Sequence, residues 1–334
     1  MVQGLLQGIA PPRPLFLPIV FSPGACVENQ PLRAFLGNPT KICNAQRQLR
    51  GPLRTDGYSC YFDPFLEVEA LGATLEWGAP GLPPVLHWPQ GAKPGELPDD
   101  LCSPEEAVKA GRVPIALEVL RRMKAMVRDD SILMAGVTGP LTLAARLTQM
   151  DASGDGRTRE FPESALEVAF AMVTRISGAL VEAGASAIMI EEEVLPVLSQ
   201  ELCAAWACGL EPAFNVIRFY GALPVLQLTD GVSFAANSKV ILQNHWSCVL
   251  CPSLDGFSSQ PDDADFERNS MTLGFALPLE TFQQDDSALR ACCQSLRQRV
   301  AAWRPAILTT AGDVPAMTDM KRLSKVLEIV PRLH

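Results

Sequence analysis

Short apolar runs rich in β-branched residues recur along this chain, several of them ending at a polar or turn residue. Eight stand out: Phe16–Phe21, Tyr58–Asp63, Ile132–Val137, Ala187–Glu192, Pro224–Thr229, Cys248–Ser253, Met271–Ala276 and Ala306–Thr310. Near-continuous apolarity over so few residues predicts strands covered on both faces, as in a parallel sheet. Amphipathic stretches with helix punctuation lie between them. Ser103-Pro104-Glu105-Glu106 reads as a helix start, with a capping hydroxyl, proline in the first position and acids in the first turn. Pro162-Glu163 opens a longer helix that places Leu166, Phe170, Val173, Ile176 and Leu180 on one stripe and stops at Gly184. Segments 286–303 and 318–330 have the same character. Strand followed by helix, eight times over, predicts a (β/α)8 TIM barrel. The barrel is expected as a single domain over 1–334, with an N-terminal tail over 1–14 and a long loop over 78–103 between the second and third strands. An open doubly wound sheet is the alternative, but no Gly-x-Gly-x-x-Gly follows an early strand.

Composition narrows the picture. Of 334 residues, 48% are hydrophobic, enough for a large core. The net charge of −9, with no block of lysines or arginines, speaks against a nucleic-acid surface, whose affinity rests on neutralising phosphates. Ten scattered cysteines in a chain of this size predict buried thiols in a reduced, cytoplasmic protein. The first 20 residues carry Pro11, Pro12, Pro14 and Pro18 and no basic n-region, so no signal peptide is expected. No apolar run is expected to span a bilayer.

In TIM-barrel enzymes the reacting groups come from the carboxyl ends of the strands. Five of the eight ends here carry acids: Asp63, the run Glu191-Glu192-Glu193, Asp230, Asp255 and Asp313. Asp63, Glu192 and Asp230 are the expected catalytic carboxylates. Glu191, Glu193, Arg146, Asp255, Asp313 and His87 are expected to contact substrate or cofactor. Crowded carboxylates raise one another's pKa, which suits proton donation. Each acid also has a second reading as a helix cap, because a strand end is the start of the next helix. His245, Cys248 and Cys251 have the spacing of a zinc knuckle, but residues three apart on a strand point to opposite faces. Buried thiols are the expected reading of the two cysteines. With His87, His245 and His334 the only histidines, no hydrolytic triad can be assembled.

Several stretches resemble the uroporphyrinogen decarboxylase superfamily, over roughly residues 13–330. They are Phe62-Asp63-Pro64-Phe65-Leu66-Glu67-Val68-Glu69-Ala70-Leu71-Gly72, Thr138-Gly139-Pro140-Leu141-Thr142-Leu143-Ala144, Ala183-Gly184-Ala185 leading to Ile190-Glu191-Glu192, and Ala311–Pro315. The resemblance implies a (β/α)8 barrel and places Asp63 where the decarboxylases hold pyrrole nitrogens. The arginine-bearing motif expected after the first strand is replaced by Phe21-Ser22-Pro23-Gly24-Ala25-Cys26. Arg146 stands at the expected tyrosine, and the late histidine is missing from Gly312-Asp313-Val314-Pro315. An acidic mouth does not suit a tetrapyrrole carrying eight carboxylates. The superfamily's methyltransferase branch holds zinc with a His-x-Cys-Gly turn and a later cysteine. Leu228-Thr229-Asp230-Gly231 and Gly312 stand there instead, so zinc is not expected.

The reading expected from these features is a one-carbon (methyl) transferase. It moves a methyl group from a methoxy-aromatic, a methylamine or a methyl halide to tetrahydrofolate or to a separate corrinoid protein. No corrinoid-binding Asp-x-His-x-x-Gly is present in the chain. Decarboxylation of a small or tetrapyrrole carboxylic acid, and a non-catalytic ligand-binding barrel, are the alternatives. The resemblance also implies a homodimer.

Overall fold

The computed structural model describes residues 2–329 apart from 8, 10, 80–82, 90–92, 128–130, 151–160, 194–198, 230–236, 238–240, 242–245, 252–271, 289, 292–293, 296–297 and 299–305. Its eight-stranded sheet consists of β1 (Leu15–Phe16), β2 (Gly57–Tyr61), β5 (Ile132–Thr138), β6 (Ala187–Glu192), β7 (Leu223–Leu228), β8 (Cys248–Cys251), β9 (Thr272–Leu277) and β10 (Ile307–Thr310). All seven ladders are parallel, in the order β1-β10-β9-β8-β7-β6-β5-β2. This is a (β/α)8 barrel.

Closure between β1 and β2 runs partly through a side chain. Ser59 Oγ accepts from Val20 N at 3.0 Å and donates to the Pro18 carbonyl at 3.0 Å. Pro18 has no N–H to give a ladder, which accounts for a formal first strand shorter than the apolar run Phe16–Phe21. The run itself is buried throughout.

The helices positioning the site are α1 (Val2–Leu6), α2 (Pro23–Val27), α3 (Leu32–Leu36), α4 (Pro39–Leu53), α5 (Leu66–Ala70), α6 (Pro104–Ala107), α7 (Val113–Met126), α8 (Pro140–Leu147), α9 (Glu163–Glu182) and α10 (Gln200–Phe219), with α11 (Met320–Ile329) near the end. Ser103 caps α6 as its sequence predicts, accepting from Glu106 N at 3.3 Å. Gly184 ends α9 with φ +117°, a backbone angle that glycine adopts without strain.

One expectation needs correction. The insertion after β2 is not plain loop: β3 (Thr74–Glu76) and β4 (Val85–His87) form an antiparallel hairpin with Thr74 opposite His87. Among the described residues one helix, α9, is long and apolar enough by composition to cross a membrane. Its Ala165, Ala169, Met172, Val173, Ile176 and Leu180 are buried in the same core as the barrel strands, so core packing accounts for that apolarity.

Candidate active site

Strand β6 is the place to start, because its last two residues divide the barrel wall between them. The Glu192 carboxylate points outward onto the N-terminus of α8. Oε1 accepts from Leu141 N at 3.0 Å and from the Trp206 indole at 3.2 Å. Oε2 accepts from Thr142 N at 2.9 Å and from the Thr142 hydroxyl at 2.6 Å. An anion on the free amides of a first helical turn is a favourable arrangement. Gly139 is required for it: a Cβ there would lie 2.3 Å from Cδ of Glu192. Burial pushes the Glu192 carboxyl up to about 7, and bonds from Thr142, Leu141 and Trp206 pull against that rise. Glu192, expected as catalytic, is thus fully engaged in holding α8.

Alternation along a strand then turns Glu191 to the other face, into the barrel. Glu191 lies level with Thr138 on β5 and Gln227 on β7, so these three residues share one row of the inner wall. Gln227 is fully buried, and its Nε2 donates to the Thr310 carbonyl on β10 at 2.9 Å, reaching across the barrel interior. Oε1 of Glu191 and Oε1 of Gln227 are both buried and have no hydrogen-bond partner among the described residues. Desolvation holds the Glu191 carboxyl well above the usual carboxylate range. The charges of Glu193, Asp313 and Glu67 push the same way, while Arg146 opposes them.

The remaining acids have partners. Asp63 was expected to orient substrate, but its Oδ2 sits 2.8 Å from Nε and 2.7 Å from Nη2 of Arg112. Oδ1 accepts from Phe65 N at 3.1 Å. The same guanidinium holds Glu69 at 2.7 Å, forming a triad in which Asp63 is buried and Arg112 and Glu69 are partly buried. Asp313 accepts from Phe21 N at 2.8 Å and Ser22 N at 2.9 Å, fastening the turn into α2. Burial pushes its carboxyl up to about 7. Glu193 is exposed and paired with Arg146 at 2.6 Å. Arg146 also donates to the Pro64 carbonyl and lies over the Phe65 ring, so this cation is tied to the β2 end of the mouth. His87 meets Glu76 at 3.0 Å on the hairpin, an exposed contact.

Asp230, Asp255 and His245 lie outside the described residues. Cys248 is buried in β8, where burial pushes its thiol up to about 12. Cys251 ends the same strand. Among the described residues no group of three His, Cys, Asp or Glu side chains could hold a metal ion. Where the methyltransferase branch has its later cysteine, Gly312 has φ +131°, a backbone angle that a cysteine would adopt only under strain.

Three positions of the candidate site are not singled out by sequence pattern. Glu67 accepts from Thr138 N at 3.0 Å and from its hydroxyl at 2.7 Å, and burial pushes its carboxyl up to about 7. Arg112 lies 49 positions from Asp63, too far for local spacing to pair them. Gln227 did carry a signal, as the single amide inside the apolar run Pro224–Leu228.

The barrel resembles known structures. A methyltransferase from Methanosarcina mazei matches with a TM-score of 0.72 at 15% identity, over 99% of this chain and 97% of the other. A protein described as a vitamin-B12 independent methionine synthase from Listeria monocytogenes matches with a TM-score of 0.51 at 11% identity, over 96% and 97%. At such identities the likeness is one of fold. No curated protein sequence matches the chain. The uroporphyrinogen decarboxylase family model matches residues 10–209, which is more than half of the 334 and takes in Asp63, Glu67, Arg112 and the Glu191–Glu193 run. On that match the chain belongs to the uroporphyrinogen decarboxylase family.

Proposed function

We propose that the protein is a methyl transferase, moving a methyl group from a small methylated compound to tetrahydrofolate or to a corrinoid on a separate protein. Glu191 is the proton donor to the heteroatom that loses the methyl group. One observation carries this reading: of the acids described at the strand ends, Glu191 alone has a buried oxygen with no partner, in the row that faces the barrel interior. A carboxyl group whose acid form is favoured by burial is suited to protonating a leaving group as the carbon–heteroatom bond breaks. The nucleophile takes the methyl, the heteroatom keeps the bonding electrons, and the Glu191 proton neutralises it. With tetrahydrofolate as acceptor, the proton displaced from its nitrogen restores the acid.

The surroundings favour this chemistry over decarboxylation of a multiply charged tetrapyrrole. Glu67, Glu193 and Asp313 all act electrostatically on Glu191, and the opposing cation among them, Arg146, is already paired with Glu193. A polyanionic substrate entering that field meets repulsion and desolvation together. The family match favours a second reading, decarboxylation of a smaller acid, with Glu191 protonating the carbon that loses carbon dioxide.

The test incubates the purified protein with methylamines, methoxybenzoates or methyl halides, together with tetrahydrofolate or free reduced cobalamin. Methylated acceptor is followed by mass spectrometry and carbon dioxide release from small acids in parallel. Methylated acceptor that falls about 10²- to 10⁴-fold in Glu191→Gln supports the proposal. Carbon dioxide release without any methylated acceptor replaces it with the second reading.

A further inference from the structure

Gln227 is where the inner wall becomes specific. It sits opposite Glu191 in the β6–β7 register, and neighbours paired across a sheet present their side chains to the same face. Its amide orientation is not ambiguous. Nε2 must face the Thr310 carbonyl, because only the nitrogen can donate to a carbonyl at 2.9 Å, and this leaves Oε1 as an acceptor. At 0% exposure, Gln227 holds a polar oxygen with no donor among the described residues, and such an atom costs free energy in a finished fold. Glu191 Oε1 is the second such oxygen in the same row. Glu191 as a residue is only partly buried, whereas its Oε1 is buried like that of Gln227.

We infer that this pair of oxygens is a receptor for the N–H groups of an ammonium, making the methyl donor an N-methylated primary or secondary amine. This inference rests on the methyl-transfer reading and narrows its donor class. A secondary ammonium carries two N–H groups, one for each oxygen, and leaves its methyl group free for attack. Ethers and methyl halides bring no N–H, so nothing in them donates to the Gln227 oxygen. A quaternary ammonium brings charge without N–H. The charges facing Glu191 suit a cation, since Glu67, Glu193 and Asp313 outnumber Arg146.

The proton balance closes. The amine enters as the free base and takes the Glu191 proton, giving an ammonium–carboxylate pair in the barrel. Attack by the acceptor on the methyl carbon breaks the C–N bond, and the electron pair stays on the nitrogen, which leaves as the demethylated amine.

Calorimetric titration with methylammonium, dimethylammonium, trimethylammonium and tetramethylammonium tests the inference, because the series holds the charge constant while the N–H groups are removed. Dimethylammonium is expected to bind about tenfold or more tighter than trimethylammonium, and tetramethylammonium weakest of all. Gln227→Met, which keeps the shape without the amide, should weaken dimethylammonium about tenfold or more and leave tetramethylammonium unchanged. Glu191→Gln, with its fold checked by circular dichroism, serves if the Gln227 variant does not fold. Equal binding across the series overturns the inference. So does a Gln227→Met protein that melts lower yet binds dimethylammonium unchanged, as it would if Gln227 served only Glu191. Glu191-dependent methyl transfer from ethers or halides, with no amine binding, sinks this inference and leaves the proposed activity standing. Amine binding with the expected N–H dependence but no methyl transfer sinks the activity and leaves the receptor.

Discussion

Glu191 and Glu192 are consecutive on one strand, yet their carboxylates serve opposite faces of the barrel wall. Glu192 takes four hydrogen bonds from α8 and α10, while Glu191 faces inward with Oε1 unpaired. Burial alone does not separate them, since both carboxyls are shifted upward by desolvation. The partners do: Glu192 is fastened by four donors, while Glu191 Oε1 has none among the described residues.

The fastening predicts a sensitive glycine. Gly139 has φ −65° and ψ 153°, angles open to any residue, so its requirement is the close approach of Glu192 rather than backbone freedom. Gly139→Ala should displace the carboxylate from the Leu141 and Thr142 amides and lower unfolding free energy by about 3 kcal/mol. Urea denaturation measures the loss, and an unchanged midpoint contradicts the role given to Glu192.

Asp63 and Arg112 make a second test. Arg112→Met leaves the buried Asp63 carboxylate and the partly buried Glu69 without their cation, a change expected to cost about 3–5 kcal/mol. Adding Asp63→Asn should recover part of that loss, because the stranded charge is gone. If the two losses simply add, Asp63 is not held by Arg112 and its place in substrate binding reopens.

The fold was legible in the sequence for a simple physical reason. Barrel strands are covered on both faces, so apolarity alone marks them, and Ala187–Glu192 has the same limits in the structure as in the pattern. The hairpin was not legible, because β3 and β4 have three residues each and are largely exposed. The site was legible as a set of acids at strand ends but not residue by residue. Which acid is free depends on partners far along the chain, such as Arg112 for Asp63 and Thr142, 50 positions from Glu192. Capping and chemistry use the same residue types at the same places, and only the hydrogen bonds separate them.

Stability should depend on pH with a definite sign. Glu67, Glu192 and Asp313 are each pushed up to about 7 by burial, above their values in an unfolded chain. The folded state therefore holds more protons between about pH 4.5 and 7, and stability falls as pH rises through that window. The contribution is fully present below the unfolded pKa values and is lost above about 7. Scanning calorimetry should give a higher melting temperature near pH 5.5 than near pH 7.5, in buffers of equal ionic strength. A melting temperature that climbs over the same interval means these carboxylates are ionised in the folded protein at low pH.

Proton donation by Glu191 requires that its carboxyl group hold a proton at rest. Infrared difference spectroscopy between the wild-type protein and Glu191→Gln at neutral pH isolates that carboxyl group from the other acids. The expected result is the loss of a single C=O stretch characteristic of a protonated carboxylic acid. Loss of carboxylate bands alone would mean that Glu191 is ionised at rest and has no proton to give.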